Sequence, residues 1–302
     1  MFGRNKNKIK DTAGDRALQI FTTVMLLILF VIVGYPVLYV VSCSFSSSKA
    51  LMSGRVVFLP INPTTAGYRF VFGYKTIWVG FRNTLFYTVF GTLLNMVLSV
   101  LCAYPLSRPD LPGKGIYTKL IIFTMLFGAG MIPNYILKSK LGLVNTVWVI
   151  LLSGALSIHN MIIIRTSFKS SIPGELFEAA KIDGANDFVC LTKIAVPLSK
   201  ATLSVITLYY AVGHWNNYFT AMIYLRNKDL YPLQVILRGI LLAGQSIDAS
   251  SVNNEVMLQQ LAEGTEQIKY ALIVISTVPV LILYFIVQKY FEKGVMIGSV
   301  KG

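Results

Sequence analysis

"EAAKIDGANDFVCLTKIAVP", Glu178 to Pro197, is a charged passage in a chain that carries little charge. Glu178, Lys181, Asp183, Asp187 and Lys193 stand within it, yet long apolar runs lie on both sides. The chain has 302 residues, 55% of them hydrophobic and only 13% charged, where a soluble domain carries roughly 25% charged residues. That composition points to lipid as the solvent. A helix needs ~20 apolar residues to cross ~30 Å of hydrocarbon. Runs of that length occur six times, at about 17–45, 83–107, 117–137, 144–164, 198–223 and 270–288. Each is expected to be helical, because in lipid the backbone must satisfy its own hydrogen bonds. The predicted fold class is all-α, a polytopic membrane protein with six transmembrane helices. Pro36, Pro133 and Pro279 fall within or at the ends of these runs, where neighbours can re-satisfy the freed carbonyls.

Arg4, Lys6, Lys8 and Lys10 precede the first run. That run is much longer than the roughly 7–15 apolar residues of a signal peptide, and no small-x-small cleavage site follows it cleanly, so a retained anchor is expected. Six spans place both termini on one side. Lys and Arg favour that side, which predicts cytoplasmic termini in the cell membrane. The net charge of +14 is accounted for by anionic lipid and orientation before nucleic acid, and no nucleic-acid partner is expected. Cys43, Cys102 and Cys190 are too scattered for a disulfide framework or a metal site and read as small apolar fillers. The loop at 46–82 is expected to face outward, as is the loop at about 224–269. The latter reads as helical from about Asn254 to Glu263, with Gly264 as a stop signal. It could cap a pore, hold an external partner, or only pack on the helix ends.

The charged passage itself reads as two short helices within about 171–197. The first has Pro173 in an early turn, with Glu175 and Glu178 near its positive end. It runs through Leu176, Phe177, Ala179, Ala180 and Lys181 and stops at Gly184. The second starts after Ala185, capped by Asn186 or Asp187, and runs to about Lys193. Pro197 then sets the approach to the fifth span. Ala179 and Ala180 leave a low profile that another protein could approach closely. Phe177, Phe188 and Leu191 offer apolar contact, and Glu178, Lys181 and Asp183 offer charge, the combination that short helix-in-groove docking needs. The other reading is a loop that merely packs under the bundle.

"EAAKIDGA" followed by "IAVP" resembles the EAA-loop signature of membrane permease subunits of ABC importers, with Glu178, Ala179, Ala180, Asp183, Gly184, Ala185, Ile194 and Pro197 in register. Val196 replaces the more usual Leu. "NTLFYTVFGTLLN", "MIPNYILKSKLGLVNT", "HWNNYFTAMIYL" and "YFEKGVMIGSVKG" are similar to the group that includes the smaller maltose-importer permease. The long final outer loop is similar to the Gram-positive branch associated with complex or acidic oligosaccharides. The resemblance implies the type I ABC importer permease fold over about 83–302, preceded by an N-terminal tail, first helix and outer loop over 1–82. It implies a cytoplasmic EAA loop that docks in an ABC ATPase dimer. It also implies a homologous second permease, an extracellular sugar-binding lipoprotein and a carbohydrate substrate. ATP and Mg would be bound by the partner ATPase, and no cofactor by this chain.

The residues agree with that division of labour. "LPGKGI" lacks the first glycine and the final Ser or Thr of a G-x-x-x-x-G-K-[ST] phosphate loop, and the two histidines form no H-E-x-x-H, so no enzyme is expected. No Asp or Glu lies inside the six runs, which argues against proton coupling. A channel or secondary carrier for a small solute is the alternative, but neither needs a docking loop. In the fifth run Tyr210, His214, Trp215, Asn216, Asn217 and Tyr218 combine aromatic faces and amides suited to a sugar. Tyr210, His214 and Asn217 are placed on one helical face. An interfacial aromatic belt is the competing reading. His159 and Asn160 are weaker candidates, also explained by contacts between helices.

Overall fold

The computed structural model describes residues 12–243 and 255–298, with side chains at 12–242 and 266–288. Among the described residues the chain is helical and without strands. Three helices are long and apolar enough to cross a membrane: Ala13–Phe45, Lys75–Ser107 and Glu266–Gln288. Two bent pairs pass the same test. Lys114–Leu126 meets Met131–Lys140 at 111°, and Asp187–Leu198 meets Lys200–Trp215 at 85°. The described helices form two compact units.

The first unit comprises the described parts of Met1–Val71 and Ala249–Val274. Helix α1, Ala13–Phe45, starts at a capping box in which Asp15 N–H donates to Thr12 Oγ1 and Thr12 N–H to Asp15 Oδ2. It is followed by α2 (Ser48–Met52) and α3 (Ala66–Gly73). The segment between them is ordered by hydrogen bonds to the end of α1. Ser42 Oγ donates to Phe58 O at 2.6 Å, and Ile61 N–H donates to Ser46 Oγ at 3.1 Å. Gln267 Nε2 donates to Ser44 O and Thr64 O. The predicted outward loop at 46–82 is therefore built structure, and its last residues already belong to the next helix.

The second unit comprises the described parts of Phe72–Asp248 and Ile275–Gly302. Its axis is α4, Lys75–Ser107. Thr84, Thr88, Gly91, Thr92, Asn95 and Ser99 are buried along it, the small and hydroxylated stripe that lets helices approach closely in a membrane. Around α4 pack α7 (Val147–Leu152), α8 (Ile158–Ser170), α11 (Lys200–Trp215) and α13 (Leu233–Ala243). The other members are α5 (Lys114–Leu126), α6 (Met131–Lys140), α9 (Gly174–Ile182), α10 (Asp187–Leu198) and α12 (Phe219–Tyr224). Helix α14, Glu255–Gly298, completes the chain order.

Several expectations change. The third run is two helices bent at Phe127–Gly130, where Gly130 takes a left-handed φ of 79°. The fourth is also two helices, α7 and α8, parted at Ser153–Ser157 around Gly154 with φ 75°. Broken backbone at membrane depth needs polar partners, and the second break has them: Asn95 Nδ2 donates to Gly154 O, and Ser157 N–H donates to Tyr210 Oη. Gly264 does not stop a helix, for α14 runs through it. A lone interior glycine costs about 1 kcal/mol relative to alanine, which a long helix absorbs. Asn254 lies outside the described residues.

Candidate coupling helix and translocation-path residues

Helix α9 is ended by its sequence as expected. Gly184 has φ 81°, its N–H donates to Lys181 O, and Ala185 N–H donates to Ala180 O at 2.8 Å, so the last carbonyls are closed by a Schellman pair. Asn186 Oδ1 then accepts Val189 N–H at 2.9 Å and starts α10. The second helix outlasts its expected end at Lys193. It widens into a π-helical stretch at Cys190–Ala195 and continues through Pro197 to Leu198. Proline has no N–H to give Lys193 and crowds its carbonyl, and a π turn relieves both.

The side chains divide into anchors and a free face. Phe177 is 3% exposed. Its ring lies 6.4 Å from that of Tyr104, and the Arg108 guanidinium sits 3.8 Å above it. Leu191 is buried, and Ala180, Ala185 and Ile194 pack partly buried against the same cluster. The apolar contacts assigned from sequence to Phe177 and Leu191 are thus spent inside the chain. Leu176, Ile182, Phe188 and Leu198 are exposed apolar residues, Ile182 and Phe188 at 87% and 67%. Glu178, Ala179, Asp183 and Pro197 are exposed with them.

An ion pair that sequence reading missed ties this helix to the turn after α4. Lys181 Nζ donates to Asp110 Oδ2 at 2.8 Å, and Lys114 Nζ donates to Arg108 O at 2.6 Å. Lys181 holds the Asp110 carboxyl below its ordinary range, and Asp110 raises the Lys181 ammonium in turn. The signal was the clustered charge of "SRPDLPGKG".

The fifth-run candidates are brought together only in part. Tyr210, His214 and Trp215 are buried. Tyr210 Oη pairs with Ser99 Oγ at 2.6 Å, and Trp215 Nε1 donates to Ser276 O at 2.9 Å. The His214 ring lies against Gly91, where an added Cβ would come within 2.4 Å of it. Helix α11 ends at Trp215, so Asn217 is off the face of Tyr210 and His214, and its Oδ1 accepts Thr220 N–H instead. The amides at 216–217 favour local capping over one more helical turn. Asn216 and Tyr218 are exposed, and Arg238 stands 4.8 Å over the Tyr218 ring. Asn160 is buried and His159 exposed.

Residues 77–297 match the family described as binding-protein-dependent transport system inner membrane component. The polygalacturonan/rhamnogalacturonan transport system permease protein YtcP of Bacillus subtilis (strain 168) is 38% identical over 271 residues, 88% of this chain and 92% of that protein. Protein LplC of the same organism is 38% identical over 267 residues, 88% and 89% of the two chains. A chain from the crystal structure of a bacterial ABC transporter involved in the import of the acidic polysaccharide alginate matches at a TM-score of 0.83 and 38% identity. The match covers 93% of this chain and 99% of that one. An all-helical chain with several apolar spans and this coverage belongs to the binding-protein-dependent transport system inner membrane components, as a multi-pass permease subunit of an ABC importer and not an enzyme.

Proposed function

We propose that this chain forms half of the translocation pathway of an importer for acidic oligosaccharides, and that the segment at about 171–197 docks in a separate ATPase. The observation that carries the docking role is the division of α9 and α10. Phe177 and Leu191 fix them to the bundle, while Glu178, Ile182 and Phe188 are presented outward. An unpartnered apolar and acidic face on an anchored helix suits a groove in another protein. The acidic cargo is supported by the polygalacturonan/rhamnogalacturonan and alginate transporters to which the chain is similar.

In this reading ATP and Mg are held by an ABC ATPase dimer. A homologous second permease supplies the other half of the path, and an extracellular sugar-binding lipoprotein delivers substrate. Closure of the ATPases moves α9 and α10, and the packed helices follow from inward-open to outward-open. Both termini and the coupling segment lie on the cytoplasmic side. Residues 1–82 form a peripheral region, and 83–302 form the transport core with its outer loop at about 224–269. Asn216 and Tyr218, at the break after α11, contact the path, while Tyr210, His214 and Trp215 hold α11 in place.

The test is purification of the tagged chain from its native membrane in mild detergent, with mass spectrometry of what accompanies it. A second permease, an ATPase and a sugar-binding lipoprotein are expected. The chain alone, in quantity, would overturn the reading in favour of a channel or secondary carrier.

A further inference from the structure

Helix α4 has two differently furnished ends. Tyr104 meets the coupling helix through Phe177. Tyr87, about 25 Å further along the rod at 1.5 Å per residue, donates to Leu230 O, and Asn83 donates to Asp229 O and Tyr231 O. Tyr87 shares an apolar cluster with Val149, Ile150, Ala221 and Tyr224. The segment at 224–231 therefore lies at the end of α4 remote from the coupling loop, which is the outer end if that loop is cytoplasmic.

Two cations are mounted there on a pair of stacked tyrosines. The rings of Tyr135 and Tyr224 lie 5.6 Å apart and 15° from parallel. Lys138 Nζ sits 4.3 Å from the centre of the Tyr224 ring and donates to Ser153 Oγ at 2.8 Å. Arg226 Nη2 donates to Tyr135 Oη at 3.5 Å. Asn145 fixes this segment, its Oδ1 accepting the N–H groups of Arg226 and Asn227 at 2.9 and 2.8 Å. Lys138 is half-buried, folded back on a ring and a hydroxyl. Among the described residues no carboxylate lies within ion-pair distance of Lys138 or Arg226. A lysine normally extends its ammonium into water, and one folded back on a ring with no described carboxylate at ion-pair distance favours an arriving anion. Cation–π contact and the end of α6 supply only part of a negative charge.

We propose that Lys138 and Arg226, set on Tyr135 and Tyr224, form a binding site for the carboxylates of a uronic-acid oligosaccharide at the outer end of the path. This rests on the carbohydrate-importer reading and gives its acidic cargo a place. An acidic patch on the binding protein is the other anion such a site could meet. Charge without a carboxylate at ion-pair distance among the described residues, on an ordered aromatic platform beside a helix break, favours the sugar.

The test uses the assembled importer, in lipid nanodiscs without its binding protein for binding and in sealed proteoliposomes with it for transport, with trigalacturonate and an uncharged trigalactoside as probes. Lys138→Met and Arg226→Met should each weaken trigalacturonate binding about tenfold, the loss of a charge-assisted hydrogen bond, with the neutral sugar unaffected. Lys138→Arg should retain most of the affinity, and raised salt should weaken only the acidic probe. The ATPase rate without sugar reports that each variant is assembled. Equal loss for both sugars, or none for either, would overturn the site. So would unchanged sugar binding together with weaker capture of the binding protein. Failure of the wild-type importer to transport either trisaccharide with its binding protein would overturn the carbohydrate reading itself. Undiminished transport and binding of trigalacturonate by the variants would remove this site alone.

Discussion

Phe177 and Glu178 are adjacent, and the structure gives them opposite fates. Phe177 is buried against Tyr104 and Arg108 in the cluster that also holds Phe168, so Phe177→Ala leaves a cavity and should cost about 3 kcal/mol or more. The expected outcome is a lower melting temperature in detergent together with lost coupling. Asp110 and Lys181 hold the same helix from its exposed side, where a pair contributes little to stability. Its pH window follows from the two shifts. Asp110 is lowered, so its contribution is full above the ordinary carboxylate range and fades as acid protonates it. Lys181 is raised, so its contribution is full below the ordinary lysine range and fades only in strong base. Sugar-stimulated ATPase activity should therefore show no inflection from this pair between about pH 5 and 9. Asp110→Asn should lower it at every pH in that window, and a pH-dependent deficit would contradict the tie.

At the scale of elements, the packing of α4 against α11 depends on a missing side chain. Gly91 faces the buried His214 ring, and a Cβ there would come within 2.4 Å. Gly91→Ala should destabilise by about 1–3 kcal/mol through overpacking. Adding His214→Ala should restore much of that, because the ring is what the methyl meets. Thermal unfolding of both variants checks the pair, and a double variant no better than the single would place the fault elsewhere. Gly184→Ala should cost about 1 kcal/mol, since only glycine takes its left-handed turn freely. The ends of α9 were legible because Gly184 and Asn186 act on their own neighbours. The apolar runs were legible because hydrophobic length is a one-dimensional property. The break at 153–157 was not, since its cost is met by the distant groups Asn95 and Tyr210. The sides taken by Phe177 and Phe188 were equally hidden, because both suit a docking surface and only the bundle decides which is buried. Lys138 lies within "MIPNYILKSKLGLVNT", but nothing in that stretch marks it apart from its neighbours. Its position on Tyr224, far along the chain, is what marks it.

At the scale of the whole molecule, transport requires that one end of α4 respond to what happens at the other. One end packs on the Phe177 socket, and the other hydrogen-bonds the segment at 229–231. A rod held at both ends passes movement along, provided the coupling helix is gripped from outside by something that moves. Glu178 is exposed and the bundle does not need it, so Glu178→Lys should leave folding, insertion and pairing with the second permease intact. Reversing the charge inside a partner's groove adds repulsion and desolvation where attraction is needed. The expected result in the reconstituted importer is loss of the ATPase from the purified complex, or its retention with ATP hydrolysis no longer linked to sugar uptake. The melting temperature should match that of the unaltered chain, which separates this variant from Phe177→Ala. Normal sugar uptake by Glu178→Lys would mean that the exposed face of α9 and α10 is not where force enters the chain, and the source of movement would have to be sought elsewhere in it.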